Sequence, residues 1–404
     1  MNILWGLLGI FVVLGIAFLL SQARTSINLR TILGGLAIQF AFAFIVLKWE
    51  AGRAGLNWFT MRVQDVINFA NEGIGFLFGP LANPDTLGMI FAFNVLTIII
   101  FFSSLISVLY HLGIMQWFIK IIGGGLSKLL GTTKTESMSA AANIFVGQTE
   151  APLVIRPYIE TMTKSELFAV MTGGLASVAG SVLVGYALLG VPLEYLLAAS
   201  FMAAPAGLVL AKMIMPETEE PVAAKDVDVS EDERATNVID AAARGASDGM
   251  SLALNVGAML LAFIALIALI NGILSGIGGL FGYEALSLEG ILGILFSPIA
   301  FAVGVPWSEA VAAGSFIGQK LVLNEFVAYS SFAPQIDSLT PKTVLVVSFA
   351  LCGFANLSSM AILLGGLGGM APSRRSDIAR LGVRAVAAGM LASLLSAAIA
   401  GIFF

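Results

Sequence analysis

Eight apolar stretches decide what this chain can fold into: residues near 3–20, 31–47, 87–110, 166–188, 193–215, 250–272, 343–366 and 381–403. A helix of about 20 such residues crosses a hydrocarbon layer ~30 Å thick. Inside that layer the backbone must satisfy its own hydrogen bonds, as a helix does. With 58% hydrophobic and 11% charged residues, the chain also lies far from the soluble average of about 25% charged. We expect an all-α polytopic membrane protein.

Charge sets the expected sides of the membrane. Arg24 and Arg30 follow the first span, Lys212, Lys225 and Arg234 the fifth, and Arg374, Arg375, Arg380 and Arg384 the seventh. Positive loops stay in the cytoplasm, so both termini are expected on the outer, periplasmic side, with Lys48, Arg53 and Arg62 as exceptions to the rule. The net charge of −5 comes largely from Glu217 to Arg234, where eight acidic and two basic residues form an expected solvated loop. The segment Leu4–Leu20 has no basic n-region and reads as a retained helix, not a signal peptide. One cysteine, Cys352, and one histidine, His111, argue against an intramolecular disulfide and a zinc site.

Between the second and third spans, Leu56, Phe59, Val63, Val66, Ile67 and Ala70 recur at helical spacing, as in a helix lying in the interface. A second amphipathic piece, Gly113–Leu130, carries Trp117, Lys120 and Lys128 as interfacial anchors.

The most informative stretch is Asn143-Ile-Phe-Val-Gly-Gln-Thr-Glu-Ala-Pro-Leu153. Glu150 sits there among membrane-grade residues, at a cost of ~2.5 kcal/mol or more at a helix centre, and such groups usually face a cavity or substrate path. Gly147 and Pro152 flank it and break the helix. Residues 136–160 are therefore expected to form a re-entrant helical hairpin, and residues 288–330, interrupted by Pro298, Gly304 and Pro306, a second one. The span 166–188 contains Gly173-Gly-Leu-Ala-Ser-Val-Ala-Gly-Ser181 and is expected to unwind at its middle.

The two halves repeat this plan. Gln148-Thr149-Glu150 precedes a span broken at Gly174–Gly180, and Asn324-Glu325 precedes one broken at Cys352–Ser359. Glu150 lies 27 residues before Ser177, and Glu325 lies 31 before Asn356. Paired interrupted helices in corresponding places point to a transporter site at the repeat interface, and the charge count makes the repeats inverted. The expected division is scaffold helices at 1–111, a first transport repeat at 112–216, an acidic loop at 217–235, the long sixth span at 236–286 and a second transport repeat at 287–404.

Gln148, Thr149, Asn356, Ser358 and Ser359 are neutral donors and acceptors suited to a polar, uncharged solute. Glu150 and Glu325 add acceptors, or cap half-helices; Val182 and Phe354 offer an apolar wall for a flat ring. Asn143, Ser177 and the carbonyls of Val146 and Val178 supply neutral oxygens that suit sodium at an unwound helix. A proton-coupled protein would rely on an acid instead, and the residues alone leave both open. A passive channel is a further reading, since buried acids line pores too. Enzyme readings fail: Gly245-Ala-Ser-Asp-Gly249 matches a nucleophile-elbow pattern, but it has no preceding strand, and His111 comes before it instead of after.

Four separated motifs, Gly147-Gln-Thr-Glu-Ala-Pro152, Gly304-Val-Pro-Trp-Ser-Glu309, Asn324-Glu-Phe-Val-Ala-Tyr329 and Gly353-Phe-Ala-Asn-Leu-Ser-Ser359, resemble those of the bacterial concentrative nucleoside transporter family over essentially the whole chain. The resemblance implies eight transmembrane helices plus two re-entrant hairpins, a homotrimer in the bacterial inner membrane, and uptake of nucleosides by sodium symport in an elevator motion. It further implies that Gln148, Thr149 and Glu150 address the nucleobase, that Val182 and Phe354 flank it, and that Glu325, Asn356 and Ser359 hold the ribose. The implied sodium site is Asn143, Val146, Ser177 and Val178.

Overall fold

The computed structural model describes residues 2–83, 90–222, 235–282 and 285–404. The start of the expected third span, at 87–89, and the stretch 223–234 of the acidic loop lie outside the described residues. Helices and turns make up the rest, with no strand among the described residues.

The first spans are α1 (Asn2–Leu19) and α2 (Leu29–Ala43), the latter ending in a π-helical turn over Phe44–Lys48. The interfacial helix α3 runs over Glu50–Phe78, longer at both ends than the apolar spacing predicts, with Ile67, Ala70 and Ile74 buried and Trp58, Phe59 and Phe76 exposed. After α4 (Leu96–His111) comes the amphipathic α5 (Ile114–Leu130).

The first hairpin opens with α6 (Lys134–Ala142), leaves helical geometry at 143–150, and returns through a 3-10 segment, Ala151–Thr161. That second limb is not an α-helix as expected. Pro157 accounts for part of the difference: inside the limb it removes a backbone donor and clashes with the preceding turn, whereas Pro152 lies at the limb's start, where proline is tolerated.

The interrupted fourth span is α7 (Lys164–Ala176) and α8 (Gly180–Leu188), with the break at 177–179 where it was expected. The fifth span is α9 (Leu193–Ile214). The sixth, α10 (Val238–Gly279), has 42 residues, so it is about 63 Å long at 1.5 Å per residue and extends well beyond a single crossing.

Residues 288–338 hold more than two limbs. α11 (Leu288–Ala302) and α12 (Trp307–Val322) meet at a 115° bend, where Gly304 takes a φ of +116° and Pro306 ends the turn. Pro298 is accommodated inside α11. A second break at Leu323–Asn324 then starts α13 (Glu325–Phe332), continued by a 3-10 turn to Ser338. The seventh span is split into α14 (Pro341–Leu351) and α15 (Ser359–Met370), and α16 (Arg375–Ile402) is the eighth.

Element order thus repeats: α5, α6, 3-10 limb, α7, α8, α9 is matched by α11, α12, α13, α14, α15, α16. Burial divides the molecule. α7, α8, α9 and α16 are almost wholly buried, and α16 packs on α7, α9 and α14, whereas α4 and α10 are largely exposed and pack on each other. Gly245 and Gly249 allow that pairing: a Cβ on Gly245 would lie 2.6 Å from the Ser103 carbonyl, and one on Gly249 2.8 Å from Ile100 Cα. The elbow-like Gly245–Gly249 pattern is therefore a small-residue helix contact of the kind membrane helices use.

Two capping boxes, Thr133/Glu136 and Thr163/Glu166, start α6 and α7 by satisfying orphan N–H groups. Lys212 at the end of α9 ties them together, with its Nζ 2.7 Å from Glu136 and donating to Ser165 Oγ at 2.9 Å.

Candidate functional site

The two broken spans cross at their breaks. Phe354 N donates to the Ser177 carbonyl at 3.1 Å. Gly353 makes that approach feasible, because a Cβ there would lie 2.7 Å from Ser393 Oγ and 2.9 Å from the Ala176 carbonyl. The first hairpin tip, and in the second repeat the chain beside the Leu323–Asn324 break, are each pinned to the broken span of their own repeat by an equivalent bond. Gly180 N donates to the Phe145 carbonyl at 3.0 Å, and Leu357 N donates to the Leu321 carbonyl at 3.1 Å. Four interruptions that lie far apart in sequence therefore meet in one place, with their freed polar groups turned on one another.

All eight residues expected to touch the solute, Gln148, Thr149, Glu150, Val182, Glu325, Phe354, Asn356 and Ser359, line one cavity of about 140 Å³. Asn324, Phe326, Ser358 and Ile362 complete it from the second repeat, and Leu252, Val256, Met259 and Leu260 close it from α10. The α10 wall was not singled out from the sequence. It is one unbroken apolar run, and nothing in such a run marks which face meets a solute.

The second repeat brings an organised polar set. Glu325 Oε1 accepts from the Tyr186 hydroxyl at 3.1 Å, and its Oε2 accepts from Asn356 Nδ2 at 3.0 Å. Asn356 Oδ1 in turn accepts from Ser359 N at 2.8 Å and Ser358 Oγ at 2.7 Å, which fixes the direction of its amide. Asn324, not Glu325, caps α13, accepting from Val327 N at 2.8 Å. Tyr186, buried at the end of α8, is a partner that sequence reasoning missed; its only signal was a polar tip in an otherwise apolar half-helix.

The first repeat is less self-satisfied. Glu150 makes no side-chain cap for the 3-10 limb, accepts from Thr149 Oγ1 at 3.0 Å and is exposed to the cavity. Gln148 Oε1 is buried without a partner.

The expected ion ligands gather behind this tip. Asn143 Nδ2 donates to the Ser139 carbonyl at 3.0 Å and faces Gly173, whose carbonyl accepts from Ser177 Oγ at 3.0 Å. Val146 and Val178 are buried on the tip and the break. Asn143 Oδ1 is buried with no partner, as are Ser139 Oγ and Thr172 Oγ1. A buried, unpaired polar atom costs about 1–3 kcal/mol, and neutral oxygens on adjoining turns are a donor set that suits a small hard cation.

A second cavity, of about 530 Å³, shares Gly147, Glu150, Ala179 and Leu252 with the first. It runs between α4, α5, the first hairpin and α10 to Ala235, Ala241 and Arg244, beside the acidic loop.

Comparison with known proteins gives consistent matches along the chain. Residues 8–81 and 195–401 match the N-terminal and C-terminal models of the Na+ dependent nucleoside transporter family, and residues 92–193 match a nucleoside recognition "Gate" model. The chain is 65% identical to "Uncharacterized transporter YutK" of Bacillus subtilis (strain 168) over 100% of both chains. It is 51% identical to "Nucleoside permease NupC" of Helicobacter pylori (strain ATCC 700392 / 26695), over 99% of this chain and 97% of that one. Among solved structures it resembles CNTnw in an inward-facing substrate-bound state, with a TM-score of 0.95, 57% identity, and 100% and 98% of the two chains covered. Crossed helix breaks, paired hairpin tips and these matches lead to one conclusion: the chain belongs to the concentrative nucleoside transporter family, as a multi-pass membrane transporter and not an enzyme.

Proposed function

We propose that this chain imports uridine-like nucleosides by sodium symport. One observation carries the reading: Gln148, Thr149 and Glu150 from one repeat and Glu325, Asn356 and Ser359 from the other face a single cavity. The first set addresses the nucleobase edge with one amide, a hydroxyl and a carboxylate, and Val182 and Phe354 flank the ring. Glu325 and Asn356, already aligned by their mutual bond, take the ribose hydroxyls.

Sodium binds at Asn143, Val146, Ser177 and Val178 and is carried with the solute. Its binding satisfies the unpaired Asn143 oxygen and orders the tip that presents Gln148 and Glu150. Each ligand thereby raises the affinity of the other, by a coupling free energy typically of 1–3 kcal/mol.

The buried helices of residues 112–216 and 287–404 move as the transport part, elevator fashion, against scaffold helices of 1–111 and 236–286. The lateral exposure of α4 and α10 supports that division. The exposed apolar faces of α3 and α10 suit a homotrimer in the inner membrane. With the 217–235 loop cytoplasmic and both termini periplasmic, the larger cavity opens inward.

The deciding experiment is uptake of a labelled nucleoside panel into vesicles, with sodium and proton gradients imposed separately. Chemically unchanged uridine accumulates above its external concentration under a sodium gradient alone. Accumulation driven only by the proton gradient, or mere equilibration, would refute sodium symport.

A further inference from the structure

We propose that Lys320 is a tethered cation that serves the second repeat as the mobile sodium serves the first, balancing the buried carboxylate of Glu325 from within the helix break. This rests on the sodium reading above.

The register of the repeats places it. The equivalent tip bonds, Phe145 carbonyl with Gly180 N and Leu321 carbonyl with Leu357 N, set Lys320 opposite Ile144, one residue from Asn143. The neighbouring helix agrees: Ser200 Oγ of α9 donates to the Ile144 carbonyl at 2.8 Å, and Ser393 Oγ of α16 accepts from Lys320 Nζ at 3.1 Å.

Lys320 is fully buried. Its Nζ also donates to the Ala350 carbonyl at 2.8 Å, in the last turn of α14, and Ser393 Oγ donates onward to the Cys352 carbonyl at 3.2 Å. Carbonyl and hydroxyl oxygens at the C-terminal, negative end of a half-helix are what a small cation takes at an unwound span. A lysine ammonium is a compact charge with three donors and can stand in for it.

The charges also pair off. The side chains that bond Glu325, Tyr186 and Asn356, are neutral, and Lys320, five residues earlier on the adjoining helix, supplies a positive charge that acts on it. Residues 143–150 of the first tip contain Glu150 and no lysine or arginine. The first tip thus carries no tethered cation at its own break, while Glu325 has one built in. A carboxylate left buried without its cation is strongly destabilised.

The test is a double-mutant melting cycle on the purified full chain with Lys320→Met, Glu325→Gln and both together, joined to a reversal-potential measurement on wild type in proteoliposomes. Lys320→Met is expected to lower the melting temperature, and adding Glu325→Gln to restore much of the loss, since no uncompensated carboxylate remains. Strictly additive losses would assign Lys320 a packing role only and overturn the proposal. If Lys320→Met alone does not fold, recovery of a folded double variant supports the proposal and its absence overturns it. A reversal potential fitting two sodium ions per nucleoside would also overturn it, because the second ion site would then be real. Asn143→Ala retaining sodium-dependent uridine binding would instead remove the underlying sodium reading and leave the melting cycle untouched.

Discussion

Asn356 Nδ2 donates to Glu325 Oε2 at 3.0 Å, joining the break of the seventh span to the start of a helix 31 residues earlier. The bond fixes both side chains before any solute arrives. A hydrogen bond of this kind contributes about 0.5–1.5 kcal/mol.

Glu325→Gln keeps one acceptor oxygen but replaces the other with an amide NH2, so only one of the Tyr186 hydroxyl and the Asn356 amide, which both donate to the carboxylate, keeps an acceptor. We expect uridine affinity to fall ~10- to 100-fold, at 1.4 kcal/mol per factor of ten, and uptake to be abolished. Asn356→Ala gives a loss of similar size. Normal vesicle uptake by either variant, with the protein verified as folded, would refute the ribose assignment.

Asn143→Ala removes the buried oxygen that has no partner in the protein. Folding should survive, because an unsatisfied group is deleted and the lost amide bond is only to the Ser139 carbonyl. The expected effect is on coupling: the uridine dissociation constant, lower in sodium than in choline for the wild type, becomes equal in the two salts. Calorimetry in matched buffers reads this directly.

Gly353→Ala places a methyl 2.7 Å from Ser393 Oγ and 2.9 Å from the Ala176 carbonyl, closer than real Cβ contacts come. Overpacking of this kind costs about 1–3 kcal/mol. The crossing of the two breaks should open, with a lower melting temperature and little uptake. A variant that melts and transports like wild type would show that the close approach is not needed.

Ser247→Ala separates the two meanings of the Gly245–Gly249 pattern. Ser247 is exposed on α10, so its loss is expected to leave uptake unchanged, whereas Gly249→Val forces α10 away from Ile100 and Ser103 of α4 and should lower the yield of folded protein. Loss of uptake on Ser247→Ala alone would reopen a chemical role for the hydroxyl.

Much of the architecture was legible because the membrane allows few solutions. Runs of apolar residues near 20 in length must be helices, and glycine and proline beside Glu150 in such a run must interrupt one. The break at 177–179 and the bend at Gly304 and Pro306 followed from the same reasoning. Length and polarity did not determine how an interrupted limb continues. The 3-10 form of Ala151–Thr161 was not legible even though Pro157 lies inside it, and the additional break at Leu323–Asn324 carries neither glycine nor proline.

The sequence by itself determined that this chain is helical, lies in a membrane, is built as two related halves, and places acids and amides at its interruptions. These are local consequences of hydropathy and backbone chemistry, readable over windows of 10 to 20 residues. Only the tertiary structure decided which interruptions meet. The Phe354–Ser177 bond, the Tyr186 partner of Glu325, the α10 wall of the cavity and the burial of Lys320 against Ala350 join residues from 30 to more than 170 positions apart. No local pattern carries such pairings. They are set when crossing helices turn their freed backbone groups and buried charges toward one another, because the surrounding apolar interior offers those groups no other partner.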